Sequence, residues 1–217
     1  MKSAYFLDLN QFPLDEFRDD LRTRVMIPSR VSLKDDLDAR FKALKKAGLD
    51  SMQDLLDALK TKEKLAAFAR ESGLDAEYLT LLRREGGSYQ PKPVRLDRLP
   101  GANTGDLEAL EKLGIKDTRH LFDRSRSDTA RADLSEVSGI PSARLDELIG
   151  MSDLMRAYGV GPVFARLLYD IGIHSKAEFI EKSAEKIVAI YERETGKKAD
   201  FGVNEMQFSL DLAKRLD

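Results

Sequence analysis

A chain of 217 residues with 42% hydrophobic and 34% charged side chains has apolar surface enough for a real core, which excludes disorder. Its 36 Lys and Arg against 38 Asp and Glu give a formal charge of −2, which excludes a strongly cationic nucleic-acid binder while leaving room for a small phosphate site. The absence of Cys excludes disulfides, thiolate metal sites and cysteine catalysis, and suits a reducing cytosol.

From the N-terminus, Tyr5-Phe6-Leu7 is a short strand-like run cut off by Asp8, so no signal peptide is expected. A second strand-like run is Val25-Met26-Ile27. No apolar run is long enough to span a membrane, so the expectation is a soluble cytoplasmic protein. Helical periodicity then takes over. Leu37, Phe41 and Leu44 share one face, as do Leu65, Phe68 and Ala69, and again Val163, Leu167 and Ile171. Ser32-x-x-Asp35, Ser51-x-x-Asp54 and Ser175-x-x-Glu178 have the spacing of helix-start capping boxes. The predicted class is all-α. Gly86-Gly87-Ser88-Tyr89-Gln90-Pro91-Lys92-Pro93 interrupts the pattern and is expected to be a linker. The expected domains are an N-terminal helical unit over residues 1–88 and a C-terminal unit over 95–217.

A repeat runs through both. Gly48, Gly114 and Gly172 each lie between the end of an amphipathic stretch and a new cap, and Gly73, Gly139 and Gly196 follow them 25, 25 and 24 residues later. Glycine at a helix end points to a left-handed C-cap, so three related helical units are expected, the first degenerate. Residues 107–113 and 163–171 should be equivalent helices.

The most specific motif is Leu154-Met155-Arg156-Ala157-Tyr158-Gly159-Val160-Gly161-Pro162-Val163-Phe164-Ala165-Arg166-Leu167-Leu168. It reads as helix, tight Gly-x-Gly turn, helix, with Val160 plugging between the helices, Pro162 at the first helical position and Ala165 letting them approach. A weaker copy at Leu99-Pro100-Gly101-Ala102-Asn103 places Asn103 where Gly161 stands, on the expectation that both need positive φ.

This pattern resembles the helix-hairpin-helix motif, and the whole chain resembles a bacterial domain-of-unknown-function family built from tandem helix-hairpin-helix units. The resemblance implies tandem hairpins, and in many such proteins the hairpin amides hold a nucleic-acid phosphate at a helix N-terminus. Carried onto this chain, the candidate nucleic-acid site is Arg156, Gly159, Val160, Gly161, Val163, Phe164 and Arg166. Arg156 and Arg166 would supply surface charge, so replacing both by Glu is expected to leave the melting temperature nearly unchanged. Pro162 removes one amide donor, and Val163 and Phe164 stand where polar or basic residues are usual. Two readings follow: sequence-independent contact with a phosphate backbone, or a protein-interaction adaptor, favoured if Val163 or Phe164 proves exposed. No enzyme, cofactor or metal site is expected. His120 and His174 lie in different repeats, Thr195-Gly196-Lys197 lacks the first Gly and the Ser or Thr of a P-loop, and no nucleophile elbow is present.

Overall fold

The computed structural model describes residues 3–217 and is all-α. Two isolated bridges, Pro13 to Ser51 and Arg95 to Asp117, are the nearest approach to strand pairing among the described residues. Tyr5-Phe6-Leu7 and Val25-Met26-Ile27 form no strand: Tyr5 and Phe6 lie in a turn and a bend, and residues 25–27 are irregular. The chain divides into two compact units: residues 8–89, and residues 90–217 joined by the N-terminal segment through Leu7. The division falls inside the predicted linker, but residues 3–7 belong with the C-terminal unit. Gly86 and Gly87 complete a helix, so the irregular linker starts only after them.

The 8–89 unit contains α1 (Leu14–Thr23), α2 (Leu37–Lys46), α3 (Met52–Ala58), α4 (Lys62–Ser72) and α5 (Ala76–Gly87). Its core takes the i, i+3, i+7 stripe of α1 (Leu14, Phe17, Leu21) together with Phe41 and Leu44 of α2 and Leu79 and Leu82 of α5, all buried. Phe17 meets Phe41 and Tyr89 edge-on, with centroids 5.9 and 5.3 Å apart. Ser51 and Asp54 form a true capping box on α3. Ser32-x-x-Asp35 does not: residues Pro28–Lys34 wind into a 3₁₀ helix, and α2 starts after Asp36, at φ 46°. That segment is pinned from beneath, where Arg24 and Arg30 donate to the buried Glu85 carboxylate at 2.6 and 2.7 Å.

The other unit contains α6 (Thr104–Lys112), α7 (Thr118–Arg124), α8 (Asp128–Ser138), α9 (Ser142–Leu154), α10 (Pro162–Asp170), α11 (Lys176–Ile180), α12 (Ala184–Thr195) and α13 (Val203–Ala213). Central in it is α9, which packs against α7, α8, α10 and α11. This explains its composition, since Leu145, Leu148, Ile149, Met151 and Leu154 leave it no polar face at its C-terminal half. Neighbours approach so closely that a Cβ added to Gly150 would stand 2.6 Å from the His174 carbonyl oxygen.

The glycines singled out by spacing share one geometry. Gly48, Gly114 and Gly172 have φ of 84°, 78° and 84°. Beyond each, the next amide reaches back five residues: Leu49 to Leu44, Ile115 to Leu110, Ile173 to Leu168. Those bonds and the paired burial of both residues make three Schellman ends, whose left-handed position costs a Cβ-bearing residue strain. A short helix follows each, capped by Ser51, Asp117 or Ser175. The next helix ends at Gly73, Gly139 or Gly196, again at positive φ.

Three tyrosines are held neutral by burial. Desolvation pushes Tyr5 and Tyr78 up to about 12 and raises Tyr89 further, with the Asp20 charge adding to it. Because the folded values lie above the ordinary 10.0, their contribution to stability is complete below pH 10 and is lost as pH climbs towards 12. Absorbance at 295 nm should therefore show at least three of the six tyrosines still neutral at pH 11, with melting temperature falling above pH 10. A single transition near pH 10 for all six would contradict this burial.

Candidate binding site at the 155–164 hairpin

The hairpin joins α9 to α10. Its turn is closed by the Val160 amide on the Ala157 carbonyl at 3.2 Å, with Gly159 at φ 77°. Val160 is buried, as a plug between helices must be. Ser209 Oγ donates to the Tyr158 carbonyl at 2.5 Å, and the Tyr158 and Phe208 rings meet edge-on at 5.1 Å. The same turn recurs earlier: the Ala102 amide bonds the Leu99 carbonyl at 3.1 Å, with Gly101 at φ 83°. There, however, only a 3₁₀ turn over Leu96–Arg98 precedes it.

Gly161 and Asn103 correct the expectation of positive φ at both. Gly161 lies at φ −90°, ψ 175° and Asn103 at φ −110°, ψ 156°, ordinary N-cap geometry. Asn103 is there because its side chain accepts from the Asp106 amide at 2.8 Å, capping α6. Gly161 brings no capping side chain, and nothing lies within 4 Å of where its Cβ would be. The first-turn amides of α10, Val163 and Phe164, thus have neither an intrahelical acceptor nor a capping side chain.

Arg156 is the main correction. Expected on the surface, it is 3% exposed. Its guanidinium donates to Asp153 Oδ1 at 2.6 Å, to the Ala4 and Tyr5 carbonyls at 2.9 and 3.3 Å, and to the Asp217 main-chain oxygen at 2.5 Å. It also lies 4.1 Å from the Phe122 ring centroid. Four acceptors and an aromatic face leave it nothing for a phosphate.

Arg166 is 30% exposed at its side chain but paired with Glu147 and Asp170. Glu147 also pairs with Arg144, which bonds Asp106 at 3.0 Å and the Gly101 carbonyl. Two Arg and three carboxylates make this network −1, tying the Gly101 turn to α9 and α10. Lys176, six residues beyond the end of α10, donates to the Leu216 carbonyl at 2.8 Å, and burial lowers its pKa.

The apolar side of the hairpin is better defined. Val163 is 78% exposed. Next to it, half-buried Phe164 meets Tyr191 of α12 at 5.9 Å and Phe201 at 5.5 Å, and those two rings lie 5.0 Å apart. The aromatic partners were not evident in the sequence. The Ile187, Tyr191 spacing shows a face of α12 but not which helix it meets.

His174 packs its ring 4.4 Å from that of Tyr169, and His120 Nδ1 faces Asp117 Oδ1 at 3.2 Å. Among the described residues no three His, Asp or Glu side chains gather as metal ligands, and no helix is long and apolar enough to cross a membrane.

No curated protein and no solved structure matches the chain. Residues 100–201 match a protein family described as a domain of unknown function. That stretch opens at the Gly101 turn, contains the hairpin and ends at Phe201 of the aromatic trio. Residues 100–201 are thus similar to this family of unknown function, and the hairpin lies inside that stretch.

Proposed function

We propose that the protein is a non-enzymatic binding module of three tandem helix-hairpin-helix-like copies, and that the 159–164 hairpin docks an apolar surface of a protein partner. One observation carries this reading: Val163 stands 78% exposed on the hairpin's second helix, beside the Phe164, Tyr191, Phe201 cluster. An exposed aliphatic side chain backed by aromatic rings suits a protein contact, where aromatic residues supply much of the binding energy. The phosphate reading keeps one support, the uncapped amides at the start of α10, where the helix dipole favours an anion. Against it, Arg156 is buried and Arg166 is neutralised by Glu147 and Asp170. Backbone binding draws its affinity from several Lys or Arg contacts.

Benzoylphenylalanine placed at position 163 and photolysed in the native host separates the readings. A protein adduct at 163, absent when the same group is placed at exposed Asp133 of α8, is the expected result. Nuclease-sensitive adducts would transfer the hairpin to the phosphate reading. Identical patterns at 163 and 133 would overturn both.

A further inference from the structure

The N-terminal residues 3–7 are bound by the 90–217 unit in the manner of a peptide ligand. Tyr5 is the anchor: its side chain is 1% exposed, its hydroxyl lies 2.8 Å from Thr118 Oγ1, and its ring meets Phe122 edge-on at 5.8 Å. The main chain is gripped on either side. Arg156 takes the Ala4 and Tyr5 carbonyls, Gln90 Nε2 donates to the Leu7 carbonyl at 2.6 Å, and Ser3 Oγ donates to Asp123 Oδ1 at 2.7 Å. Thr118, Phe122 and Asp123 lie on α7, and Arg156 lies just past α9. The receptor side chains that take Ser3, Ala4 and Tyr5 all lie within residues 100–201.

Two features distinguish this from ordinary core packing. Residues 3–7 are not helical, and residues 8–89 fold as a separate unit before the chain returns at Gln90, so releasing the segment breaks no helix. The receptor's polar groups also keep partners without it. Thr118 Oγ1 still accepts from the Val94 amide at 3.1 Å, and Arg156 still has Asp153, the Asp217 oxygen and the Phe122 face. A buried group that loses its only partner opposes release by its full desolvation penalty, the more so when charged. Neither group here is orphaned.

We propose that this is a peptide-binding site between α7 and the end of α9, filled in cis by residues 3–7 as a displaceable plug and able to take the same segment from a second copy of the chain. Recognition through two carbonyls is indifferent to side chains, so selectivity rests on the tyrosine: its ring fills the space beside Phe122 and its hydroxyl reaches Thr118. None of these contacts involves Val163 or Phe164, so the inference stands apart from the hairpin reading.

The test uses the full chain carrying Tyr5→Ala and a fluorescein-labelled peptide of residues 3–8, Ser-Ala-Tyr-Phe-Leu-Asp. Saturable anisotropy is expected with the variant, at least tenfold weaker with the wild-type chain, whose own plug competes at high effective concentration. A peptide with Ala for Tyr should lose at least tenfold. No saturable binding, equal binding to both chains, or equal binding of the two peptides would overturn the proposal. Should Tyr5→Ala fail to fold, the milder Tyr5→Phe variant decides, since it keeps the ring and gives up only the hydroxyl contact with Thr118. Peptide binding at least threefold tighter than to the wild-type chain is expected, and equal binding to the two chains would overturn the proposal.

Discussion

Arg156→Glu is expected to destabilise the 90–217 unit by about 3–5 kcal/mol, the range for leaving a buried charge without its partner. The new carboxylate would face Asp153 and the oxygens of Ala4, Tyr5 and Asp217, all acceptors. Nothing in that ring of oxygens can donate to it. The Phe122 ring, attractive to a guanidinium, presents its negative face to an anion. For a chain of this size the melting temperature should fall on the order of 10 °C. Arg166→Glu is the internal control: a half-exposed pair is worth about 1 kcal/mol or less, so its melting should move far less. Thermal denaturation followed by circular dichroism gives both shifts. Equal, small shifts would contradict the burial of Arg156 and restore the surface role that its place beside the hairpin suggested.

Gly150→Ala should cost about 3 kcal/mol, at the upper end of the usual overpacking penalty. The added Cβ would lie 2.6 Å from the His174 carbonyl oxygen and 2.7 Å from Tyr169 Cε2. A flexible side-chain tip yields cheaply, but here one neighbour is backbone and the other is a ring already packed on His174. Relief therefore requires α9 to move away from α10 and the loop before α11. Helix propensity alone favours Ala over Gly by about 1 kcal/mol in a helix interior. The expected sign is thus the reverse of the propensity argument, which makes the measurement decisive. Denaturant unfolding that finds the variant as stable as wild type would mean that α9 is not held this tightly.

The helical class, the Leu37, Phe41, Leu44 stripe and the left-handed glycines were legible because each is a local property of consecutive residues. The Val163, Leu167, Ile171 stripe is corrected: α10 buries Ala165 and Leu168 instead, and Val163 stands outside. A helix end with Leu44, Gly48 and Leu49 in the right order makes its own Schellman bonds whatever lies around it. The hairpin turn at Gly159 is local in the same way. Gly161 and Asn103 were misread because two glycines in a Gly-x-Gly look alike in sequence, and only the backbone distinguishes a left-handed turn position from an N-cap.

Arg156, Arg166 and Gly150 mark where local reading stops. An arginine next to a Gly-rich turn has the sequence signature of a surface cation, yet its burial depends on Ala4 and Tyr5, about 150 positions away, and on the face of Phe122. Arg166 lost its free charge to Glu147, one helix away. Gly150 carries no periodic signal, and only the crossing of α9 against the His174 loop shows why a side chain is excluded. The sequence by itself determined the helical class, the glycine-marked helix ends and most of the apolar faces, since hydrogen bonds and side-chain spacing within one turn decide these. Tertiary structure alone decided which charges are spent and which apolar residue remains outside, because pairing and burial depend on partners that the chain brings together from distant positions.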